Sequence, residues 1–178
     1  SDWSFSADDL EKTDSADLLW AALGVNRENG NRTAPTARNR QEVPVYCAMR
    51  QGCYRYDAHR HRLERITERD LRAQTGRQGF VGDAPLNLIY VADLSRASSE
   101  FYAGGDTGFA QNIYLSCASK GLATVVRVWV DRERLAATMG ISEPLRVVLC
   151  QTVGWPGKLR LELYFELGLI IASGCLSA

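Results

Sequence analysis

The densest set of groups able to do chemistry lies between Val25 and Gln41, in VNRENGNRTAPTARNRQ. Thr33, Thr36, Asn39 and Gln41 bring neutral donors and acceptors, while Arg32, Arg38 and Arg40 bring charge. This mixture suits a ligand with a polar heteroaromatic edge and a phosphate. Amide side chains read such an edge, and guanidinium forks grip the phosphate. The plain alternative is a solvated loop whose arginines pair with nearby acids, and composition by itself favours that version. Elsewhere the inventory is thin. His59 and His61, in YDAHRHRL, are the only histidines, and a solvated hairpin turn explains them better than a metal site. A Ser-His-Asp hydrolase is correspondingly hard to build. GGDTG, residues 104–108, matches neither a Walker loop nor a GxGxxG fingerprint and reads as a flexible entry to a helix. Cys47, Cys53, Cys117, Cys150 and Cys175 form an odd set without a Cys-x-x-Cys pair. They read as buried, reduced, small apolar residues, with a Cys47–Cys53 bridge as the alternative.

The elements that must position the loop are regular. DLLWAAL, from Asp17, has helical spacing, with Thr13, Asp14 or Ser15 as its cap and Gly24 as its stop. Val43–Ala48, Tyr54–Tyr56 and Leu63–Ile66 read as three strands of a hairpin-like unit. Thr67 with Asp70 signals a short helix over ERDLRAQTGRQ. LNLIYVADL is a buried strand, and Asp106 to Lys120 is a helix with Phe109, Ile113, Tyr114 and Cys117 as its stripe and Gly121 as its C′ residue. ATVVRVWV is a strand, Asp131 caps a helix that Gly140 ends, and LRVVLCQTV is another buried strand. An early meander precedes interleaved helices and strands, which predicts an α+β fold with helices packed on a mixed sheet. The tail alternates in LRLELYF before turning wholly apolar in LGLIIASG. Its apolar face needs its own sheet edge or a partner's.

At 178 residues, 46% hydrophobic and 24% charged, the chain has the bulk and composition of one globular domain. Its 21 basic and 21 acidic residues cancel, which argues against nonspecific nucleic-acid or anionic-membrane binding. No apolar run reaches the roughly 18 residues of a membrane helix, so the expectation is a cytoplasmic protein with neither partner. The chain begins at Ser1 and not at Met, so a trimmed start or a lost leader stays open.

Six segments, in order, change the reading of the loop. LLWAALGVNRENGNRTAPTARNRQEVPVYCAM, GCYRYD, GFVGDAPLNLIYVAD, DTGFAQNIYLSCASKGLATVVR, VDRERLAATMGI and QTVGWP together resemble the nitroreductase-like flavoprotein family, closest to its small bacterial branch with the SagB-type dehydrogenases. The resemblance covers residues 1–156 and implies a nitroreductase-like fold, a mixed and mostly antiparallel central sheet flanked by helices. It further implies a homodimer with FMN at the subunit interface, NADH or NADPH as reductant, and ping-pong transfer to a small-molecule acceptor such as a nitroaromatic or quinone. The implied alternatives are a SagB-type azoline peptide dehydrogenase and a flavin-binding protein without turnover. PTARNRQ is similar to the family's Pro-Ser-x-x-Asn-x-Gln segment, which carries Thr36, Asn39 and Gln41 over as FMN ligands. GLATVVR resembles the segment beside the flavin's redox edge, carrying over Ala123 and Thr124, with Arg127 following near the ring or phosphate or in a structural ion pair. SDWSFS aligns with the family's phosphate-binding Arg-Arg-Ser-x-Arg from its serine onward. That places Ser1 at the phosphate and Trp3 where an arginine is usual. Lys158 and Arg160 match late basic phosphate ligands. Gln111 and Asn112 open a helix that in the family packs beneath the cofactor. The flavin would carry the chemistry, so no protein residue is expected to be catalytic. Residues 157–178 are expected either to embrace a partner subunit or to be an artefact of cloning or of a shifted reading frame.

Overall fold

Residues 3–36, 39–97 and 108–157 are described by a computed structural model. KTDSADLLWAAL folds as α1 (Lys12–Leu23), burying Leu18, Leu19, Ala22 and Leu23. It starts more than a turn earlier than DLLWAAL predicts. Thr13, Asp14 and Ser15, expected as caps, lie inside it. The two acids serve the tertiary fold instead, because Asp14 and Asp17 each hold Lys120 Nζ at 2.9 Å. Lys120 is the last residue of α2 (Phe109–Lys120), so one ammonium ties the two helices together. Gly24 ends α1 as expected. Its N–H donates to the Trp20 carbonyl at 2.7 Å, and a Cβ there would meet the Trp20 ring at 2.6 Å.

The six strands are β1 (Val45–Met49), β2 (Gly52–Asp57), β3 (Arg62–Thr67), β4 (Leu86–Asp93), β5 (Ala123–Arg127) and β6 (Leu145–Gly154). They form one sheet in the order β3-β2-β1-β4-β6-β5, and all five neighbouring pairs are antiparallel. Helices flank this sheet as the α+β reading expects. α1 and α2 cover one face, where Leu18, Phe109 and Ile113 pack on Cys47, Leu88 and Tyr90. Phe109 meets Tyr90 edge-on with ring centroids 5.0 Å apart, a favoured aromatic geometry. On the other face, α3 (Arg132–Met139) buries Leu135 and Met139 with Leu71, Ile89 and Val91. With both faces covered, β4 reads as a nearly continuous apolar run.

The predicted end of α2 and both predicted ends of α3 hold. Gly121 takes φ 69° after α2, and Leu122 N–H reaches back to the Cys117 carbonyl at 2.9 Å. Asp131 accepts from Arg134 N–H at 3.1 Å, and Gly140 closes α3 at φ 70°. Residues 106 and 107, expected in α2, lie outside the described residues.

Two expectations fail for stated reasons. ERDLRAQTGRQ is no α-helix: Thr67 ends β3, one 3₁₀ turn lies within the segment at Arg72–Gln74, and another follows it at Gly79–Val81. The Asp70 carboxylate accepts from Arg72 N–H at 3.0 Å and from its guanidinium at 2.8 Å, and Thr75 Oγ1 donates to the Arg72 carbonyl at 2.7 Å. These short-range bonds replace helical ones. ATVVRVWV is a strand only to Arg127, after which Val128 and Trp129 turn out to 65% and 60% exposure. The four described cysteines are buried and free. A Cys47–Cys53 bridge is excluded by register, since Cys47 opposes Tyr54 and packs on the α1 face while Cys53 packs on the other.

Candidate functional site

The loop after α1 folds on itself through its polar side chains. Val25 bridges to Arg32, and Thr33 N–H returns to the Gly24 carbonyl at 2.9 Å. Thr36 Oγ1 then accepts from Gln41 N–H at 3.0 Å. Asn39 Nδ2 donates to Asn31 Oδ1 at 2.9 Å, while Gln41 Nε2 donates to the Gly30 carbonyl and to Asn39 Oδ1, each at 3.1 Å. Asn39 and Gln41 hold φ near 53° and 52°, the left-handed region that non-glycine residues enter at a cost and most readily as Asn. Thr36, Asn39 and Gln41 are therefore brought together in one cluster. Asn31 and Gly30, which organise it, were missed; the ENGN sequence was their signal. Ala37 and Arg38 lie outside the described residues.

Ala123 stands at the far end of the sheet. Ala123 opposes Gly154 on β6, and just beyond, Phe5 bridges to Pro156 while Gly157 N–H donates to the Ser4 carbonyl at 3.0 Å. Gly154 is packed so closely that a Cβ would lie 2.7 Å from Pro85. Beside it Trp3 stacks on Phe5 with centroids 6.3 Å apart, and Phe80 meets Phe5 at a tilt with centroids 5.5 Å apart. Ser1, Lys158 and Arg160 lie outside the described residues, and Ser4 and Gly157 are the bonded pair nearest to them in sequence. Gln41 belongs to the opposite end, where the neighbouring Glu42 carbonyl accepts from Asp93 N–H and Asp93 opposes Leu145. From Leu145 to Gly154, β6 spans on the order of 30 Å at the usual rise of a strand. One chain thus carries two separate clusters.

Thr124 and Arg127 face inward. The Thr124 hydroxyl donates to the Thr152 carbonyl at 2.8 Å and accepts from Gln151 Nε2 at 2.9 Å, and Gln151 Oε1 receives the Tyr90 hydroxyl. Arg127 donates to the Thr75 carbonyl at 2.7 Å and to Asn87 Oδ1 at 2.9 Å, with Phe80 over its guanidinium. Burial pushes this guanidinium below its usual value, and its Nε has no acceptor. Its partners are neutral groups, so the ion pair considered for it is replaced by a hydrogen-bonded network. The polar letters Asn87, Gln151 and Thr152 inside apolar strands were the signal for these networks. On α2, Asn112 Nδ2 donates to the Ala21 carbonyl at 3.1 Å, and Gln111 is exposed.

Two concavities adjoin the clusters. A groove of about 760 Å³ runs between α1 and β1–β3, lined by Leu10, Leu19, Met49, Tyr54, Leu63 and Pro85. A polar pocket of about 440 Å³ opens beside Gln41, at the turn between β2 and β3. His59 and His61 lie at that turn, both exposed, with His61 Nδ1 2.7 Å from the Tyr56 hydroxyl. Among the described residues no His, Cys, Asp and Glu group has metal-site geometry, and no helix is long and apolar enough to cross a membrane.

The antiparallel sheet between two helical layers matches known proteins. A Ralstonia eutropha protein of nitroreductase type superposes with a TM-score of 0.82 at 41% identity, over 89% of this chain and 79% of its own. A Methanocaldococcus jannaschii protein bearing a nitroreductase name is 32% identical over 137 residues, 65% of this chain and 68% of its own length. A structure described as an oxidoreductase containing FMN shares the fold, with a TM-score of 0.64 at 14% identity over 90% of this chain and 75% of its own. The Nitroreductase family model itself matches residues 1–155, nearly all of the described fold, and by that match the chain belongs to the nitroreductase family of oxidoreductases.

Proposed function

We propose that this chain is one subunit of an FMN-dependent oxidoreductase that takes reducing equivalents from NADH or NADPH. It passes them to a small nitroaromatic, quinone or related acceptor. Each FMN would lie between the loop of one subunit and the N-terminal junction of its partner. The observation that carries this reading is the separation of the two clusters along β6, because one chain cannot close a single flavin site from both. The groove beside α1 and the exposed Val128 and Trp129 supply apolar surface for a second copy.

The residues fit the group. Within the loop cluster, one Asn39 amide hydrogen, the Thr36 hydroxyl hydrogen and the Gln41 amide oxygen keep no partner among the described residues. Two donors and an acceptor complement the alternating N–H and carbonyl edge of an isoalloxazine. When bound, FMN supplies the hydride and electron transfer. The chain's part is to hold the ring, set donors where negative charge grows, and keep water from the apolar face. Trp3, Phe5 and Phe80 would form that face, Ala123 would allow close approach, and Ser1, Lys158 and Arg160 would hold the phosphate.

The first experiment is the visible spectrum of the purified chain after FMN addition and desalting. A retained flavin band, bleached by NADH or NADPH and restored by a quinone, is the expected result. Bound flavin that NAD(P)H reduces only slowly would mean binding without turnover. Asn39→Ala should retain FMN about tenfold less well, the size of one hydrogen bond, with an unchanged melting temperature in the apo form. Equal flavin content would show that the loop is not the site.

Mixing tests the shared site directly. Asn39→Ala and Ala123→Trp should each lose flavin, and a mixed preparation should recover about a quarter of the sites, because half the dimers are mixed and each holds one intact site. No recovery would place both residues in one subunit's site.

A further inference from the structure

We propose that the pocket at the β2–β3 turn is an oxyanion site that takes the phosphate or carboxylate group of a ligand other than the flavin. The inference does not depend on FMN binding. The pocket, about 440 Å³, is lined by Arg32, Arg55, Arg60 and Arg96 against Asp57, Glu64 and Asp93. The acids are already matched. Asp57 takes Arg60 at 3.3 Å and accepts two turn N–H groups, Glu64 takes Arg62 at 2.7 Å, and Asp93 accepts from Ser95.

Three guanidiniums are left over. Arg55 stands opposite Glu64 across the β2–β3 pair, but that carboxylate goes to Arg62. Arg96 reaches only the Gln41 carbonyl, at 3.4 Å. Arg32 has a buried Nε with no acceptor, and burial together with the nearby Arg96 charge pushes its guanidinium down. Among the described residues none of the three has a carboxylate within ion-pair distance. Arg32 is partly buried while Arg55 and Arg96 are exposed at the same pocket, so their like charges repel one another, and their planar forks match the oxygens of a phosphate or carboxylate. A cavity of this size admits such a group with a small organic body attached. Gln41 forms one wall, so a ligand here would extend toward the loop.

Calorimetric titration of the full chain with inorganic phosphate and with benzoate tests the site and separates the two sources of the anion. Saturable binding of at least one probe, weakened tenfold or more in Arg55→Ala and partly kept in Arg55→Lys, is expected. The Arg55 side chain is exposed and makes no hydrogen bond among the described residues, so its variants should fold, and a melting curve checks that. Arg96→Ala gives an independent second reading on the opposite wall. The proposal fails if neither probe binds, or if both alanine variants bind as the parent does. It also fails if FMN content falls in parallel with anion affinity, since the pocket would then belong to the flavin's own phosphate.

Discussion

Raising the pH from 8 to 10 is expected to remove about 5 kcal/mol of the chain's stability. Cys47, Cys53, Cys117 and Cys150 are all buried and free. Burial pushes Cys53 up to about 11 and Cys117 and Cys150 up to about 12, from an ordinary value of 9.0, and raises Cys47 further. The folded chain therefore holds neutral thiols in a range where the unfolded chain ionises them. Between about 9 and 11 the unfolded state binds fewer protons, so stability falls as pH rises; below 9 it is fully present. Each thiol contributes about 1.4 kcal/mol per pH unit in that window, so four together remove about 5 kcal/mol by pH 10. Small domains have about 5–15 kcal/mol in total. Urea midpoints at pH 8, 9 and 10 check this, and a Cys150→Ala variant should lose stability less steeply across that range. A midpoint that stays flat to pH 10 would mean that the thiols are more accessible than their burial indicates.

Much of the framework was legible because local signals and tertiary structure agree. The stripe of Phe109, Ile113 and Cys117, with Gly121 after it, contains α2 and its left-handed end. Asp131 and Gly140 bracket α3 in the same way. In the segment from Thr67 to Gln78 the short-range bonds of Asp70 and Thr75 are joined by contacts from outside it. Arg72 donates to the Ala84 carbonyl at 3.1 Å, and a Cβ on Gly76 would lie 1.9 Å from Arg127 Nη1. No window of residues 67–78 contains either partner.

The candidate site was legible in composition and illegible in placement. The loop's amides and threonines could be picked out as donors and acceptors, but not the positive φ of Asn39 and Gln41 that turns them into one cluster. Nor does the sequence reveal which strands neighbour one another. Only with β6 between β4 and β5 does Gln41 stand at one end and Ala123 at the other. The resemblance assigns both groups to one flavin, whereas the topology sets them at opposite ends of β6, and the shared site proposed above is the arrangement that joins them.

Arg127→Ala should destabilise the fold by about 3–5 kcal/mol, far more than any change in the loop. A lone arginine in an apolar strand invites a ligand role, and the structure supplies a different one. Its two terminal nitrogens hold Thr75 and Asn87, 52 and 40 residues away, and Asn87 Oδ1 also receives Thr152 Oγ1 at 2.6 Å while Nδ2 donates to the Val81 carbonyl at 2.8 Å. This network joins edge strand β5 to β6, β4 and the turns at 72–81. Removing the guanidinium strips donors from buried acceptors, opens a cavity beside Phe80 and frees the turn at Gly76. Arg127→Met fills the volume and spares the charge, so it should cost less, because burying an ion among neutral partners is itself unfavourable. Chemical denaturation of the two variants beside Asn39→Ala separates framework from site. Arg127→Ala should lower the midpoint sharply, while Asn39→Ala should leave it in place and change only flavin retention. A stable Arg127→Ala chain that no longer retains FMN would return this arginine to the ligands.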